Sequence, residues 1–214
     1  MTKEERKQLE KQRFIEMVEF ESSFYQEGTK ILAGVDEAGR GPLAGPVVAA
    51  AVILPQDCEI IGINDSKRLS EKKREALYDI ITERAIAYGI GIVDNNIIDE
   101  INILESTKLA MKRAIEDLEQ NPDHILIDGP LTLKDVDIPQ TGIVKGDKKS
   151  ISIAAASILA KVTRDRMMVA FHDRFPQYAF DRNKGYATKV HFQSLNDNGL
   201  CCIHRRSFLK SYEE

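Results

Sequence analysis

Three short apolar segments of the chain each lead into acidic residues, and this feature limits the possible folds more than any other. The segments are residues 31–35, 124–127 and 141–144. The acids that follow them are Asp36 with Glu37, Asp128, and, after a Lys-Gly pair, Asp147. Short apolar runs bounded by turn residues are typical of buried strands. Because side chains just past the ends of neighbouring strands can converge, the sequence predicts a carboxylate cluster at one edge of a sheet.

The remaining segments complete an α/β pattern. Further strands are predicted at 47–54 and 88–93, and the Gly- and Pro-rich loop at 39–46 joins the first two strands as a hairpin. Helices are predicted within 1–27, at 70–84 with Ser70 as N-cap, at 99–118, from Ser150 to about residue 175, and at 188–198. Strands that precede a mixture of strands and helices indicate a central mixed sheet flanked by helices.

The length and the cysteine content narrow the class of protein. A chain of 214 residues suits one domain, or one domain with a small appendage. No apolar run approaches roughly 18 residues, so we expect no transmembrane helix and no membrane partner. The odd set of three cysteines, Cys58, Cys201 and Cys202, indicates reduced thiols and a cytoplasmic location. No His and Cys spacing resembles that of a zinc site.

Charge is distributed unevenly along the chain. The net charge is −4, yet the segment 143–206 contains 12 Lys and Arg, 5 Asp and no Glu. A basic C-terminal third on an acidic protein is typical of a surface that binds a polyanion. A solvated helical surface would give the same composition, so charge alone leaves both interpretations open.

The carboxylate cluster predicts a metal site. Four converging carboxylates repel one another, and a hard divalent cation relieves that repulsion. Ligands that are all oxygen favour Mg²⁺ or Mn²⁺ over zinc. Two such ions about 4 Å apart can activate a water molecule and stabilise a leaving oxygen at phosphorus. The cluster and the basic segment together indicate metal-dependent phosphodiester hydrolysis, although any single acid is also explained as a loop residue or a helix cap.

The loop Gly39-Arg40-Gly41 is the second candidate for binding. Glycines let a backbone approach a ligand closely, and Arg40 can pair with a phosphate. A loop lined by backbone groups can sense a ribose 2′-hydroxyl, which RNA has and DNA lacks. A tight hairpin turn is the alternative interpretation.

Seven segments, in order along the chain, resemble the motifs of bacterial ribonuclease HII, the type 2 ribonucleases H. They are VDEAGRGPLAGP at 35–46, NDSK at 64–67, LIDG at 126–129, VKGD at 144–147, AASILAKVTRD at 155–165, KGY at 184–186 and HRRSF at 204–208. The resemblance covers residues 31–208. It departs from the family pattern at Pro130, where Asn is frequent, and at Asn183, where His is common.

The resemblance implies a fold, an activity and a cofactor. The fold is α/β, a ribonuclease H-like mixed β-sheet flanked by helices, with a C-terminal helical region. Residues 1–30 would be an N-terminal helical extension and 31–214 the catalytic domain. The activity is endonucleolytic cleavage of RNA in RNA–DNA hybrids, including cleavage 5′ to a single ribonucleotide in duplex DNA, which leaves 3′-OH and 5′-phosphate ends. The cofactor is Mn²⁺ or Mg²⁺, as two ions, and we expect a monomer.

The resemblance also implies roles for individual residues. Asp36, Glu37 and Asp128 match metal ligands, and Asp147 matches the fourth active-site carboxylate. The loop 39–41 matches the segment that recognises the 2′-hydroxyl. Tyr186 matches the tyrosine that stacks on the sugar where DNA begins.

Several other polar residues have competing interpretations. Ser66 and Lys67 are candidates for a phosphate contact, or for a polar turn at a helix start. Lys161 and Arg164 are expected on a solvated face of the long helix, with a contact to the nucleic-acid strands as the alternative. Asp165 is expected to pair with an arginine. Of the histidines, His124 is expected in packing, and the other three, His172, His191 and His204, on the surface.

Three alternatives to this assignment are considered. Ribonuclease HIII shares the chemistry but carries a substantial N-terminal domain and lacks the Gly-Arg-Gly loop. A protein that binds hybrids without turnover would not need all four acids. A small-molecule phosphohydrolase would not need the basic C-terminal third.

Overall fold

The computed structural model describes residues 2–64 and 66–212, without the side chains of residues 3 and 6. Five strands form one sheet: β1 Leu32–Ala38, β2 Val47–Ile53, β3 Ala87–Val93, β4 His124–Asp128 and β5 Gln140–Ile143. The helices are α1 Lys3–Gln26, α2 Glu71–Arg84, α3 Asn95–Glu116, α4 Ile151–Arg174, α5 Phe180–Asn183 and α6 Lys189–Asn198. The predicted elements are therefore confirmed, with shifted ends.

The sheet is mixed, as predicted, in the order β3-β2-β1-β4-β5. The β1–β2 and β2–β3 pairs are antiparallel, so 39–46 closes a hairpin. The β1–β4 and β4–β5 pairs are parallel. This topology brings the carboxyl ends of β1, β4 and β5 to the same edge of the sheet.

Helices cover both faces of the sheet. On one face the alanine-rich α4 and part of α2 pack on β2, and on the other face α3 packs on β1, β2 and β3. A side chain at Gly34 would lie 2.1 Å from the backbone of Ser152, so glycine is required there for α4 to approach β1. A third cluster, under α5 and α6, forms the core of the C-terminal helical region.

Two details differ from the sequence prediction. Helix α3 begins at Asn95 rather than 99, because Asp94 caps it by accepting from the N–H groups of Asn96 and Ile97. The same helix is kinked at Asn102, whose backbone has φ 68° and ψ 166°. The kink places Ile103 beside the cleft described below.

The N-terminal helix α1 is packed against the domain. Met17 and Glu21 are buried, and Glu21 accepts hydrogen bonds from the Ser150 hydroxyl at 2.5 Å and the Ser152 N–H at 2.8 Å. Burial raises the pKa of the Glu21 carboxyl, although these bonds act in the opposite direction. Helix α1 thereby contacts the amino end of α4.

The surface location predicted for His191 and His204 is wrong. Both rings are buried in the C-terminal cluster, against Tyr178 and Phe180. His124 packs on Phe24, as predicted. Within the described residues, no helix combines the length and the apolar character needed to cross a membrane.

Candidate active site

Asp36 and Asp128 are neighbours at the carboxyl ends of two parallel strands. Val35 of β1 lies opposite Ile127 of β4, so the next residues of the two strands are the two aspartates. Adjacent strands are about 4.8 Å apart, and residues in register project to the same face of a sheet. Both aspartates are the last or nearly the last residues of their strands, rather than loop residues after them.

The carboxylates repel one another when they are charged, and this repulsion raises the pKa values of Asp36 and Glu37. The Asp36 side chain is buried, with 6% of the residue exposed. Burial raises its pKa well above the usual value, and the charges of Glu37 and Asp128 raise it further. Burial and Asp128 also raise the pKa of Glu37, whereas Arg40, 3.4 Å away, lowers it. The positive charges of Arg40 and Lys67 lower the pKa of Glu37 but do not cancel the effects that raise it.

Asp147 is brought to the same edge by a tight turn. It lies in the short 3₁₀ helix Gly146–Lys148, which follows β5 after Lys145 in the left-handed conformation, with φ 58°. The Gly146 N–H donates to Oδ1 of Asp128 at 2.6 Å. This bond ties the turn that carries Asp147 directly to Asp128.

The donor chemistry fits Mg²⁺ or Mn²⁺, because every candidate ligand is a carboxylate oxygen. Among the described residues, however, no three Asp, Glu, His or Cys side chains are gathered closely enough to hold an ion as they stand. Hydrogen bonds engage the acids separately: the Glu37 N–H donates to Asp36 at 2.7 Å, and Gly146 donates to Asp128. Gathering them on one ion would require rotation of side chains.

A cleft of about 610 Å³ opens beside the carboxylates. It is lined by the loop 39–41, by Ser66 and Lys67, and by Lys161 and Tyr186. Arg40 and Tyr186 are both substantially exposed, at 49% of the side chain and 40% of the residue. The Ser66 hydroxyl is buried and shares a hydrogen bond with Ser157 Oγ at 2.9 Å. The predicted binding residues thus lie in one cleft.

The predicted pairing of Asp165 with an arginine is confirmed, with a lysine as an additional partner. Asp165 lies 3.7 Å from Arg74 and 2.6 Å from Lys161. Lys161 lines the cleft, 5.8 Å from the centre of the Tyr186 ring, so the solvated face predicted for it is wrong. The basic segment 143–206 is therefore not a uniform solvated surface.

Sequence reasoning also misplaced Arg164 and gave no role to Arg205. Both residues are fully buried. Arg164 donates to the carbonyls of Ala44, Pro46 and Lys184 at 2.9–3.1 Å. The Arg205 side chain donates to five carbonyls of the loop 39–46. The sequence signal that could have drawn attention to Arg205 was its place in the HRRSF motif at 204–208. Its charge alone would place an arginine at the surface.

Known proteins similar to this chain match it over most of its length. Residues 33–211 match the family described as Ribonuclease HII. The Ribonuclease HII of Acetivibrio thermocellus is 57% identical over 200 residues, which cover 94% of this chain and 78% of that protein. The Ribonuclease HII of Enterococcus faecalis is 55% identical over 208 residues, which cover 95% of this chain and 81% of that protein.

A solved structure shows the same architecture. The crystal structure of the ribonuclease H2 from Pyrococcus horikoshii superimposes with a TM-score of 0.70 at 28% identity, over 86% of this chain and 96% of that chain. This match confirms the predicted ribonuclease H-like fold.

Proposed function

The chain belongs to the ribonuclease HII family of RNA–DNA hybrid endonucleases, and from this premise we propose that it also cleaves duplex DNA 5′ to a single embedded ribonucleotide. The products would carry 3′-OH and 5′-phosphate ends. The observation that carries the proposal is the register of β1 and β4, which makes Asp36 and Asp128 neighbours beside a cleft lined with basic residues. Removal of ribonucleotides from DNA is the corresponding biological role.

In this proposal Mn²⁺ or Mg²⁺, as two ions, is held by Asp36, Glu37 and Asp128, with Asp147 as the fourth carboxylate. Bound ions of this kind supply an activated water and stabilise the leaving oxygen. Asp36 is the central ligand, because it adjoins Glu37 in sequence and Asp128 across the sheet. The raised pKa values of Asp36 and Glu37 support the proposal, since a cation would remove the repulsion that contributes to them.

Substrate recognition is assigned to the far side of the cleft. The loop 39–41 would contact the ribose 2′-hydroxyl, and Tyr186 would stack on the sugar of the following deoxynucleotide. Lys67 would contact a backbone phosphate. Ser66 lies next to it, and its bond to Ser157 keeps the turn in place beside Asp36.

The state of the three cysteines bears on the cellular location of the protein. Cys58, Cys201 and Cys202 are free thiols, and burial raises the pKa of Cys201 to about 11, which keeps it unreactive. We therefore include a reducing, cytoplasmic compartment in the proposal, together with the monomeric state expected from the sequence.

The test is to map the cuts on a labelled duplex that contains one ribonucleotide, with Mn²⁺ and Mg²⁺ supplied separately. We expect the wild-type protein to cut 5′ to the ribonucleotide, and Asp128→Asn to lose at least about 100-fold in rate. Asp137→Asn, an exposed acid outside the site, is the matched control. Near wild-type cleavage by Asp128→Asn in Mn²⁺ would remove Asp128 from the mechanism.

The same assay separates the alternatives. Cleavage of long hybrids without cleavage at a lone ribonucleotide would indicate a specificity like that of ribonuclease HIII. Binding without metal-stimulated cleavage would indicate a hybrid-binding protein. Substrate affinity that is insensitive to salt would favour a small-molecule phosphohydrolase, because contacts to nucleic-acid phosphates weaken with salt.

A further inference from the structure

Arg205 uses every N–H of its guanidinium on the loop that faces the cleft. An arginine side chain has five N–H donors. Those of Arg205 contact five loop carbonyls, which belong to Gly39 at 2.6 Å, Arg40, Pro42 and Gly45 each at 2.9 Å, and Pro46 at 3.1 Å. The guanidinium is fully buried and its donors contact no carboxylate among the described residues. An arginine in this position serves to shape a backbone.

The direction of these carbonyls determines where the loop's N–H groups point. The described backbone has only trans peptide bonds, and in a trans peptide the C=O and the following N–H point in opposite directions. The carbonyls of Gly39 and Arg40 point inward to Arg205. The N–H groups of Arg40 and Gly41 therefore point away from Arg205, on the exposed side of the loop that lines the cleft.

These two N–H groups are available to a ligand. Within the described residues neither has a hydrogen-bond partner, whereas the neighbouring N–H groups of Leu43 and Gly45 donate to Gly185 and Ile203. A carbonyl that accepts from a cation is polarised, and polarisation makes the N–H of the same peptide a stronger donor. Arg205 therefore both aims the two donors and strengthens them.

The conformation of the loop 39–46 also depends on a second buried arginine, Arg164. Gly39 has φ +96°, and a Cβ there would lie 2.2 Å from Nε of Arg164. Arg164 also donates to Lys184, two residues before Tyr186. Arg164 consequently contacts both substrate-facing segments of the cleft, and Arg205 holds the first of them.

We propose that Arg205 is the positioning residue for ribonucleotide recognition: it presents the N–H groups of Arg40 and Gly41 as donors to the 2′-hydroxyl oxygen of the bound ribonucleotide. This inference rests on the proposed function. It adds a residue that contacts no substrate but sets the preference of the cleft for ribose.

The test measures two affinities for each protein by fluorescence anisotropy, with Mg²⁺ present. One duplex contains a single ribonucleotide and the other is all DNA, and both carry a nonhydrolysable linkage at the scissile position. Arg205→Lys keeps the charge but has three donors on a flexible stem. We expect the preference for the ribonucleotide duplex to fall about tenfold, which corresponds to losing one or two hydrogen bonds. Arg206→Lys, the exposed neighbour, is the control with unchanged preference.

The ratio of the two affinities distinguishes a positioning role of Arg205 from damage to the fold. Partial unfolding lowers the active fraction equally for both duplexes and leaves the ratio unchanged. An Arg205→Lys protein that folds and keeps the wild-type ratio would overturn the inference. A phosphate acceptor would weaken the binding of both duplexes equally and leave the ratio unchanged, so that result also overturns the inference. A wild-type protein without any preference would instead overturn the proposed function.

A second measurement avoids the variant altogether. The amide NMR resonances of Arg40 and Gly41 in the wild-type protein should shift when the ribonucleotide duplex binds, and shift less with all DNA. If Arg205→Lys does not fold, an absence of any response at these two amides overturns the inference.

Discussion

The Nε2 atoms of His191 and His204 lie 3.0 Å apart in the core of the C-terminal helical region. The Cys201 N–H donates to Nδ1 of His204 at 2.9 Å, so His204 carries its proton on Nε2 and donates to His191. His191 then carries its proton on Nδ1 and donates to the Tyr186 carbonyl at 2.9 Å. Both rings are neutral, and together they support the backbone of the tyrosine that faces the cleft.

This pair predicts a loss of stability in mild acid. Burial and the neighbouring ring lower the pKa of His204 from 6.5 to about 4, and burial lowers that of His191. The unfolded chain takes up protons first, so the stability present above pH 6.5 is lost as pH falls toward 4. The contribution of His204 is about 3 kcal/mol. The free energy of unfolding, measured with urea at a series of pH values, should depend less steeply on pH for His204→Gln than for the wild-type protein. An unchanged pH dependence would contradict the neutral state assigned to His204.

Replacing Asp36 should stabilise the metal-free protein. Asp36→Asn removes a buried charge that Glu37 and Asp128 repel, while its amide oxygen can still accept the Glu37 N–H. We expect a gain of about 1 kcal/mol in EDTA and loss of cleavage. Thermal unfolding checks this, with Asp137→Asn as control. Mn²⁺ should raise the melting temperature of the wild-type protein more than that of Asp36→Asn; equal increases would count against Asp36 as a ligand.

Gly146→Ala should weaken metal binding more than it weakens the fold. A Cβ at residue 146 would lie 2.6 Å from Cδ1 of Ile153 and 3.3 Å from Oδ1 of Asp128. The Ile153 side chain can move at a cost of about 1 kcal/mol, but the turn must shift relative to Asp128. We expect about a tenfold higher Mn²⁺ dissociation constant by calorimetry, which corresponds to about 1.4 kcal/mol. Unchanged affinity would show that this turn does not position the ligands.

Glu21 predicts a pH dependence of the opposite sign. Its folded-state pKa is raised above 4.5, so the folded protein holds this proton more tightly than the unfolded chain does. The associated stability is present below pH 4.5 and is lost as pH rises through the raised pKa. Glutamine does not titrate, so the unfolding free energy of Glu21→Gln relative to wild type should increase between pH 4 and 8. Exposed Glu19→Gln should show no such trend, and a constant difference for Glu21→Gln would refute the prediction.

The sequence predicted those parts of the fold and the site that depend on local pattern. Strands β1 and β4 were identified by short apolar runs, and their adjacency places Asp36 beside Asp128. The burial of Arg164, His191 and His204 was missed, because charged and polar side chains are expected at the surface until their buried partners are known. Arg205 illustrates the reason: its acceptors lie about 160 residues earlier in the chain. No local pattern reports a bond over that separation.

The dependence of the 39–46 loop on Arg164 and Arg205 has a consequence for protein engineering. Grafted alone into another hairpin, these eight residues would lose both guanidinium groups, and the six carbonyls that these groups bind would turn to water. Transplanting the proposed ribose selectivity to another scaffold therefore requires moving three distant stretches of chain as one unit.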